Sequence, residues 1–217
     1  MPKETKAELN KRFDKILAIL KKTYPGARTA LNFSNPLELL VATILSAQTT
    51  DKGVNLVTEK LFRKYRTAAD YAGATVETFQ EEIKPTGFYR NKAKSVMAMA
   101  KLLVDQHGGQ APETMEELVA LPGVARKTAN VVLGSAFGKN EGICVDRHVA
   151  RVAARLKLTA SDEPVQIEQD LMKLAPREHW TLFSHMLIDH GRAICTARNP
   201  NCAGCPLNRL CPSAFKV

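Results

Sequence analysis

The sequence lacks any long apolar run, and its first residues lack the features of a secretory signal. The longest hydrophobic stretches fall far short of the roughly 18 residues that a membrane-spanning helix needs. The opening segment, MPKETKAELNKRFDK, contains no apolar core. These absences exclude the integral membrane class and predict a cytoplasmic protein, in a compartment where thiols stay reduced.

Sustained alternation of apolar and polar residues is also missing, as are internal repeats and low-complexity linkers. Strands that are buried on one face need such alternation, whereas here apolar residues recur at helical spacing. The clearest stripe is Leu9, Phe13, Ile16, Leu17 and Leu20. The pattern predicts an all-α protein of about ten helices. Its 217 residues suffice for one large domain or two small ones.

Helix boundaries follow from capping residues and breakers. Asn35-Pro36, with Glu38 three residues after the asparagine, predicts a helix start. Further helices are predicted over residues 52–65, 76–83, 89–106 and 115–121, and from Ala125, Asp146, Pro164 and Arg177 onward.

Acidic residues are absent from two stretches of a chain whose net charge is +9. Residues 84–101 contain five basic residues and no acid, and no acid follows His190. Segregated charge of this kind predicts a basic face, and therefore a polyanionic partner such as nucleic acid. Net charge alone does not separate this interpretation from an ordinary basic protein.

Cysteine is rare outside the last 23 residues, where Cys195, Cys202, Cys205 and Cys211 form the pattern C-x6-C-x2-C-x5-C. Four clustered cysteines in a reducing compartment indicate a metal site rather than disulfides. Four thiolates suit zinc or a [4Fe–4S] cluster, and a single close pair favours iron–sulfur modestly. The fifth, Cys144, is predicted to be a buried core residue.

The segment LPGVARKTANVV, residues 121–132, predicts a tight turn at Pro122-Gly123 followed by a helix. Free amides at the start of that helix can bind a DNA phosphate without reading base sequence, although an ordinary interhelical turn also favours Pro-Gly. Lys127 would lie in the first helical turn. An ordinary lysine here would be a phosphate contact or a solvated residue. The helix dipole, Arg126 and partial burial would all disfavour the ammonium form of Lys127, which instead favours a nucleophile.

Two residues of VDRHV, which follows this helix, are further candidates. Asp146 is predicted to cap a helix, and the same carboxylate can carry a catalytic charge. His148 is predicted to be structural or a phosphate contact rather than a base.

At these residues the sequence resembles the endonuclease III family, the iron–sulfur DNA glycosylases of the helix–hairpin–helix superfamily. The resemblance covers nearly the whole chain, through LNFSNPLELLVATILSAQTTD, TGFYRNKA, LPGVARKTANVV, VDRHVARV, HGRAIC and the cysteine tail. It implies a six-helix barrel domain over residues 29–139 that contains the helix–hairpin–helix. It also implies a smaller iron–sulfur cluster domain built from residues 1–28 and 140–217, with DNA running between the two.

The resemblance further implies a bifunctional DNA glycosylase and abasic-site lyase of base excision repair that removes oxidised pyrimidines. The damaged base is flipped out, Lys127 forms a Schiff base with the sugar, and β-elimination cuts the strand. Asp146 stabilises positive charge on the sugar. Gln48 matches the residue that fills the gap left by the flipped base. Phe88 matches the position of an apolar wedge on the opposite side.

A monomer bound to damaged double-stranded DNA in the nucleoid is expected, with the four cysteines holding [4Fe–4S]. The remaining DNA contacts are expected at Gly123, Ala125, Arg126, Thr128, His148 and Arg198.

Three positions depart from the family pattern and bear on DNA affinity and substrate range. Ala125 replaces the hairpin's second glycine, at a position where a helical φ is expected. Arg147 replaces a threonine, and Arg198 is the only basic residue between Cys195 and Cys202.

Three other interpretations are weaker. The adenine glycosylase branch lacks the lysine, has a glutamate in an early helix and carries a further C-terminal domain, whereas here Lys127 is present and the chain stops soon after Cys211. The thymine-mismatch branch also lacks the lysine. A non-enzymatic DNA-binding or electron-transfer protein would not need Lys127, Asp146 and Gln48 together.

Overall fold

The computed structural model describes residues 4–217, which form eleven α-helices and no β-strand, so the all-α prediction is confirmed. None of the helices in this range is long and apolar enough to cross a membrane. In chain order the helices are α1 (Lys6–Thr23), α2 (Pro36–Leu45), α3 (Asp51–Lys64), α4 (Ala68–Ala72), α5 (Val76–Ile83), α6 (Tyr89–His107), α7 (Met115–Ala120), α8 (Arg126–Ala136), α9 (Arg147–Arg155), α10 (Pro164–Leu174) and α11 (Trp180–Ala193).

The helices fall into two compact units. One unit is Thr29–Lys139 and contains α2 to α8. The other joins the two ends of the chain, Met1–Arg28 and Asn140–Val217, and contains α1 with α9 to α11.

Helix α2 lies at the centre of the Thr29–Lys139 unit. Leu37, Leu40, Val41, Ile44 and Leu45 on one side are buried, and so are Leu39 and Ala42 on the other side, both fully inaccessible to solvent. A helix that is apolar all round must be enclosed by other elements. The helix begins as predicted, because the Asn35 side chain accepts a hydrogen bond of 2.9 Å from the Glu38 amide and Pro36 occupies the first turn.

Helix α4 is the one that the sequence patterns missed, and it brings the unit to seven helices where six were expected. Its five residues are too few to display a helical period. Tertiary packing supplies what periodicity could not show. Tyr71 of α4 is fully buried, stacks on Tyr65 at 5.0 Å between ring centroids and meets the edge of Phe79 at 5.9 Å.

The second unit is built around α1, α9, α10 and α11. Phe13 of α1 and Phe183 of α11 are fully buried and pack edge to face, with ring centroids 5.2 Å apart. The predicted stripe of α1 is buried from Phe13 to Leu20. Cys144 is buried as predicted, and its amide donates to the Ser184 hydroxyl at 2.9 Å.

Four predicted helix starts shift by one to three residues, and α3 begins at Asp51, one residue earlier than predicted. Ala125 and Asp146 are N-caps with extended backbone, so α8 and α9 begin one residue later. A cap is extended because its side chain or carbonyl must face the first turn. Arg177 begins only a short 3₁₀ turn, and α11 itself starts at Trp180.

Candidate active site

The turn before α8 is a tight hairpin of Leu121, Pro122, Gly123 and Val124. The Val124 amide donates to the Leu121 carbonyl at 3.1 Å, and both of these apolar side chains are buried. The hairpin is therefore anchored on each side, while Gly123 at its tip stays exposed.

Gly123 is required at this tip for two reasons. Its φ of +79° lies in the left-handed region, which L side chains rarely adopt. A Cβ at this position would also stand 2.7 Å from the Cβ of Ser95 on α6. The backbone of the hairpin consequently lies directly against α6, at a distance that only glycine allows.

Replacing Gly123 by alanine is expected to lower the free energy of unfolding by about 2–3 kcal/mol, since it adds left-handed strain to a steric clash. The matched control is Gly138→Ala. Gly138 has a φ of +67°, but no atom lies within 4 Å of the place that a Cβ would occupy, so only the strain of about 1 kcal/mol should appear. Chemical denaturation measures both. Equal losses in the two variants would show that the contact with Ser95 is unimportant.

The N-terminus of α8 has no side-chain cap, because alanine occupies the capping position. Ala125 has φ −88° and ψ 168°, so its ψ makes it an extended N-cap rather than a helical residue, while its negative φ accepts a methyl group without strain. The first helical bond runs from the Ala129 amide to the Ala125 carbonyl at 3.0 Å. The amides of Lys127 and Thr128 precede it and point along the positive end of the helix, which suits an anion.

Lys127 lies in the first turn of α8 as predicted, and its side chain is exposed. The prediction that the Lys127 side chain is partly buried is wrong for the protein without DNA. Helix α8 turns Ala129, Val132 and Leu133 toward the core, which leaves position 127 on the outer face. The amine is therefore accessible to a large substrate. Arg126 beside it is also exposed, and Thr128 is half-buried.

Gln48 and Phe88 occupy the tips of two loops in the same unit. Gln48, between α2 and α3, has φ 55°, and Phe88, before α6, has φ 47°. Positive φ is uncommon for such side chains, and surrounding structure must hold it in place. Phe88 is 65% exposed, which rules out the core position that its apolar side chain would otherwise suggest. Gln48 is exposed as well.

Asp146 caps α9, as predicted. Its Oδ1 accepts hydrogen bonds from the amides of His148 at 2.7 Å and Val149 at 2.8 Å. Among residues 4–217, its Oδ2 has no hydrogen-bond partner. One oxygen of the carboxylate therefore orients the side chain while the other remains available. Arg147, which follows it, is exposed.

His148 has a structural environment. Its Nδ1 accepts a hydrogen bond from Arg151 at 3.1 Å, and Arg151 also donates to the carbonyls of Gly191 and Cys195. Burial lowers the pKa of His148, Asp146 raises it, and the neighbouring arginines lower it further. A neutral imidazole that accepts from arginine fits the predicted structural role better than that of a base.

The four clustered cysteines are all free thiols and line one cavity, together with His190 and the apolar side chains of Val152, Leu156 and Leu207. Burial raises the pKa of Cys205 and Cys211, and the neighbouring thiols add to that effect. Within residues 4–217, no three His, Cys, Asp or Glu side chains are arranged to bind a single metal ion. Four sulfur ligands around an apolar cavity fit a [4Fe–4S] group.

Two residues that support this cysteine cluster were missed in the sequence. Arg155 donates to the Cys195 sulfur at 3.3 Å and to the carbonyls of Thr196 and Ala197 at 2.7 and 2.9 Å, so it orders the start of the loop that carries Arg198. His190 lies 3.6 Å from the Cys205 sulfur and also contacts the Tyr24 hydroxyl at 3.0 Å. Neither arginine nor histidine shows a local pattern that would reveal such contacts. Arg198 itself is exposed.

Known proteins with similar sequences decide the family. Residues 41–177 match the HhH-GPD superfamily of base excision DNA repair proteins, and residues 195–211 match the iron–sulfur binding domain of endonuclease III. Endonuclease III of Synechocystis is 51% identical over 96% of this chain and 95% of its own length. The chain belongs to the endonuclease III family. The Escherichia coli endonuclease III is 43% identical over 93% of this chain and 95% of its own length.

Solved structures agree with this family assignment. A trapped endonuclease III–DNA covalent intermediate matches with a TM-score of 0.89 at 42% identity, covering 99% of both chains. A non-covalent endonuclease III–DNA complex matches with a TM-score of 0.90 over 95% of this chain and 97% of the other. A thermostable thymine-DNA glycosylase shares the fold at 25% identity, with a TM-score of 0.84 and coverage of 96% and 99%.

This member of the endonuclease III family is a base excision repair enzyme, a DNA glycosylase with abasic-site lyase activity. It acts on DNA and carries a [4Fe–4S] cluster, and the matched iron–sulfur binding segment, residues 195–211, contains all four cysteines of the C-terminal motif. Held by these four thiols, such a cluster would tether Cys195 to the three later cysteines.

Proposed function

We propose that the chain excises oxidised pyrimidines from duplex DNA, with Lys127 as the nucleophile and Asp146 as the stabilising carboxylate. The observation that carries this proposal is the position of Lys127. Its amine is exposed in the first turn of an uncapped helix, directly after a hairpin whose backbone is accessible at Gly123. A DNA phosphate bound at the hairpin would bring the adjoining sugar within reach of that amine.

DNA binding at the hairpin uses backbone groups and cations. The amides of Ala125 and Thr128 and the side chain of Arg126 contact phosphate oxygens, as does the tip at Gly123. His148 and Arg198 in the other unit contribute further contacts with the DNA backbone. Such contacts position the duplex and do not read its sequence, which suits an enzyme that must act on damage in any sequence.

The chemistry begins with the neutral amine of Lys127. Its lone pair forms a bond to the sugar C1′, the glycosidic C–N bond breaks, and the base departs as an anion that takes up a proton. The nitrogen gives up a proton, the C1′–O4′ bond breaks with a proton taken up by O4′, and the iminium forms as the sugar ring opens. Loss of a proton from C2′ breaks the bond between C3′ and its phosphate oxygen, and water finally releases Lys127 by hydrolysis of the imine. Oδ2 of Asp146 stabilises the positive charge that develops on the sugar.

Gln48 and Phe88 lower the energy of the flipped state. A nucleotide that leaves the helix loses stacking and pairing, and groups that occupy its place reduce that loss. Gln48 offers a polar side chain that fills the vacated position, and the exposed ring of Phe88 offers an apolar wedge. Both residues lie on loops of one unit, so they can act together.

The two units correspond in this proposal to a helix–hairpin–helix domain, residues 29–139, and an iron–sulfur domain, residues 1–28 with 140–217. The enzyme acts as a monomer on the nucleoid in the cytoplasm. Support for that location comes from the four free thiols of the cluster motif, which persist in a reducing compartment.

The test is borohydride trapping across a panel of duplexes. Borohydride reduces an imine to a stable amine, so each reacting substrate leaves a covalent complex. Trapping is expected with thymine glycol and with abasic sites, and not with undamaged DNA, a G·T mismatch or an oxidised purine. Trapping with abasic sites alone would reduce the proposal to a lyase. A reaction with G·T mismatches would instead assign the chain to the thymine-mismatch branch.

A further inference from the structure

Lys92 of α6 is a buried lysine whose partners are all uncharged. Only 5% of the residue is exposed. Its ammonium donates three hydrogen bonds, to the Leu45 carbonyl at 2.8 Å, the Thr49 hydroxyl at 2.9 Å and the Thr86 carbonyl at 2.7 Å. An ammonium has three N–H groups, so its donor capacity is completely used.

Burial of this charge is unfavourable, and desolvation lowers the pKa of Lys92. The three acceptors offset part of that cost, helped by the negative end of α2, where the Leu45 carbonyl lies. Charges are seldom buried without a counter-ion. A side chain kept here at such a cost is expected to do something that an apolar residue of the same size could not do.

The three acceptors lie in, or at the start of, the two loops that carry Gln48 and Phe88, since Leu45 is the last residue of α2. Leu45 and Thr49 flank Gln48, and Thr86 lies two residues before Phe88. The Thr49 hydroxyl also donates to the Thr86 carbonyl, which closes a small network around the ammonium. Both loop tips have positive φ and need external support to keep it. Lys92 bonds to both loops at once, and the bond between Thr49 and Thr86 joins them directly.

We propose that Lys92 is a positioning residue for base flipping, which holds the Gln48 and Phe88 loops at the separation that the opened base step requires. This inference rests on the proposed roles of Gln48 and Phe88. A wedge and a gap-filling side chain act on one base step, so a shift of either loop weakens the contribution of both side chains to base flipping. Misplacement by about 1 Å can reduce a rate by roughly 10²-fold.

The decisive variant is Lys92→Met, which keeps the length of the side chain and removes the charge and all three hydrogen bonds. Two substrates are compared: thymine glycol in a paired duplex, and the same lesion opposite a one-nucleotide gap, where the step is already open. Lys92→Met is expected to excise the paired lesion roughly 10²-fold more slowly. Excision opposite the gap should stay close to the wild-type rate, because no intact step remains to be opened.

Reference variants fix the interpretation. Gln48→Ala and Phe88→Ala should show the same selective loss on the paired substrate. The double variant Lys92→Met/Phe88→Ala should lose less of the excision rate than the product of the two single reductions, since both substitutions impair the same step. Lys60→Met removes an exposed lysine of the same unit and should change neither rate. If Lys92→Met fails to fold, Thr49→Val removes one link of the network and should show a smaller loss of the same kind.

Three results would overturn the inference. The first is an equal loss on both substrates, which means that Lys92 merely supports the fold. The second is no loss on either substrate. The third is a selective loss that Gln48→Ala and Phe88→Ala do not share, which would also remove their proposed roles. Failure of the proposed function itself is visible separately, because wild-type enzyme would then form no borohydride complex with thymine glycol.

Discussion

Lys127→Ala should abolish the borohydride-trapped complex and slow both base release and strand cleavage by roughly 10⁴-fold or more. The reason is chemical, since the variant has no amine to form the imine through which both steps pass. Single-turnover cleavage of a thymine glycol duplex measures the rate, and a gel-resolved covalent complex measures trapping. Stability should change by no more than about 0.5 kcal/mol, because Lys127 is exposed and alanine favours a helix.

The control is Lys60→Ala, which removes another exposed lysine of the same unit and should leave trapping intact. DNA affinity is the second check. If Lys127 is mainly a phosphate contact, the variant should bind all DNA modestly more weakly, with a smaller dependence on salt. If Lys127 is the nucleophile, the DNA affinity of the variant should be nearly unchanged. Undiminished trapping in Lys127→Ala would show that another amine forms the imine.

Asp146→Asn should reduce base excision by roughly 10²–10³-fold while the fold and DNA binding are retained. Asn is as good an N-cap as Asp, so Oδ1 can still accept from the amides of His148 and Val149. What disappears is the negative charge, and with it the stabilisation of a positive sugar. The free energy of unfolding should fall by about 1 kcal/mol or less, from the helix dipole.

Asp146→Ala separates capping from charge. It removes both, so it should match Asp146→Asn in rate and lose about 1 kcal/mol more in stability. Single-turnover rates and denaturation curves on the same preparations give the two quantities. If Asp146→Asn excises thymine glycol at the wild-type rate while Asp146→Ala is unstable, the residue is only a cap and the proposed charge role fails.

Lys127→Ala and Asp146→Asn also differ in which reaction steps they impair. An abasic site has already lost its base, so its reaction with Lys127 needs no charge stabilisation for base departure. Asp146→Asn should therefore lose more activity on thymine glycol than on abasic DNA, whereas Lys127→Ala should lose activity on both substrates to the same extent.

Much of the fold and part of the site followed from local patterns. Periodicity predicted the helices, Asn35 and Asp146 predicted two of the caps, and Pro122-Gly123 predicted the hairpin. These features depend on contacts within three or four residues, which is why a sequence can display them. Spacing of the four cysteines identified a cluster motif for a similar reason, because their order along the chain carries the signal.

Other features depended on residues far apart in the chain. Leu45 and Lys92 are separated by 47 positions, and Arg155 reaches the Cys195 sulfur across 40. Helical spacing places Lys92 on the apolar face with Val96 and Leu103, unlike the exposed Lys94, but no local pattern shows which acceptors its ammonium meets. Phe88 shows the converse, since its apolar side chain suggests a core position and packing leaves it 65% exposed.

By itself, then, the sequence determined the helices other than α4, the caps at Asn35 and Asp146, and the chemical groups at Lys127, Asp146 and the cysteines. Only the tertiary structure decided which groups are exposed or buried, and which loops a buried ammonium joins. The physical reason is range: caps and periods are local, whereas burial depends on every element that packs around a residue.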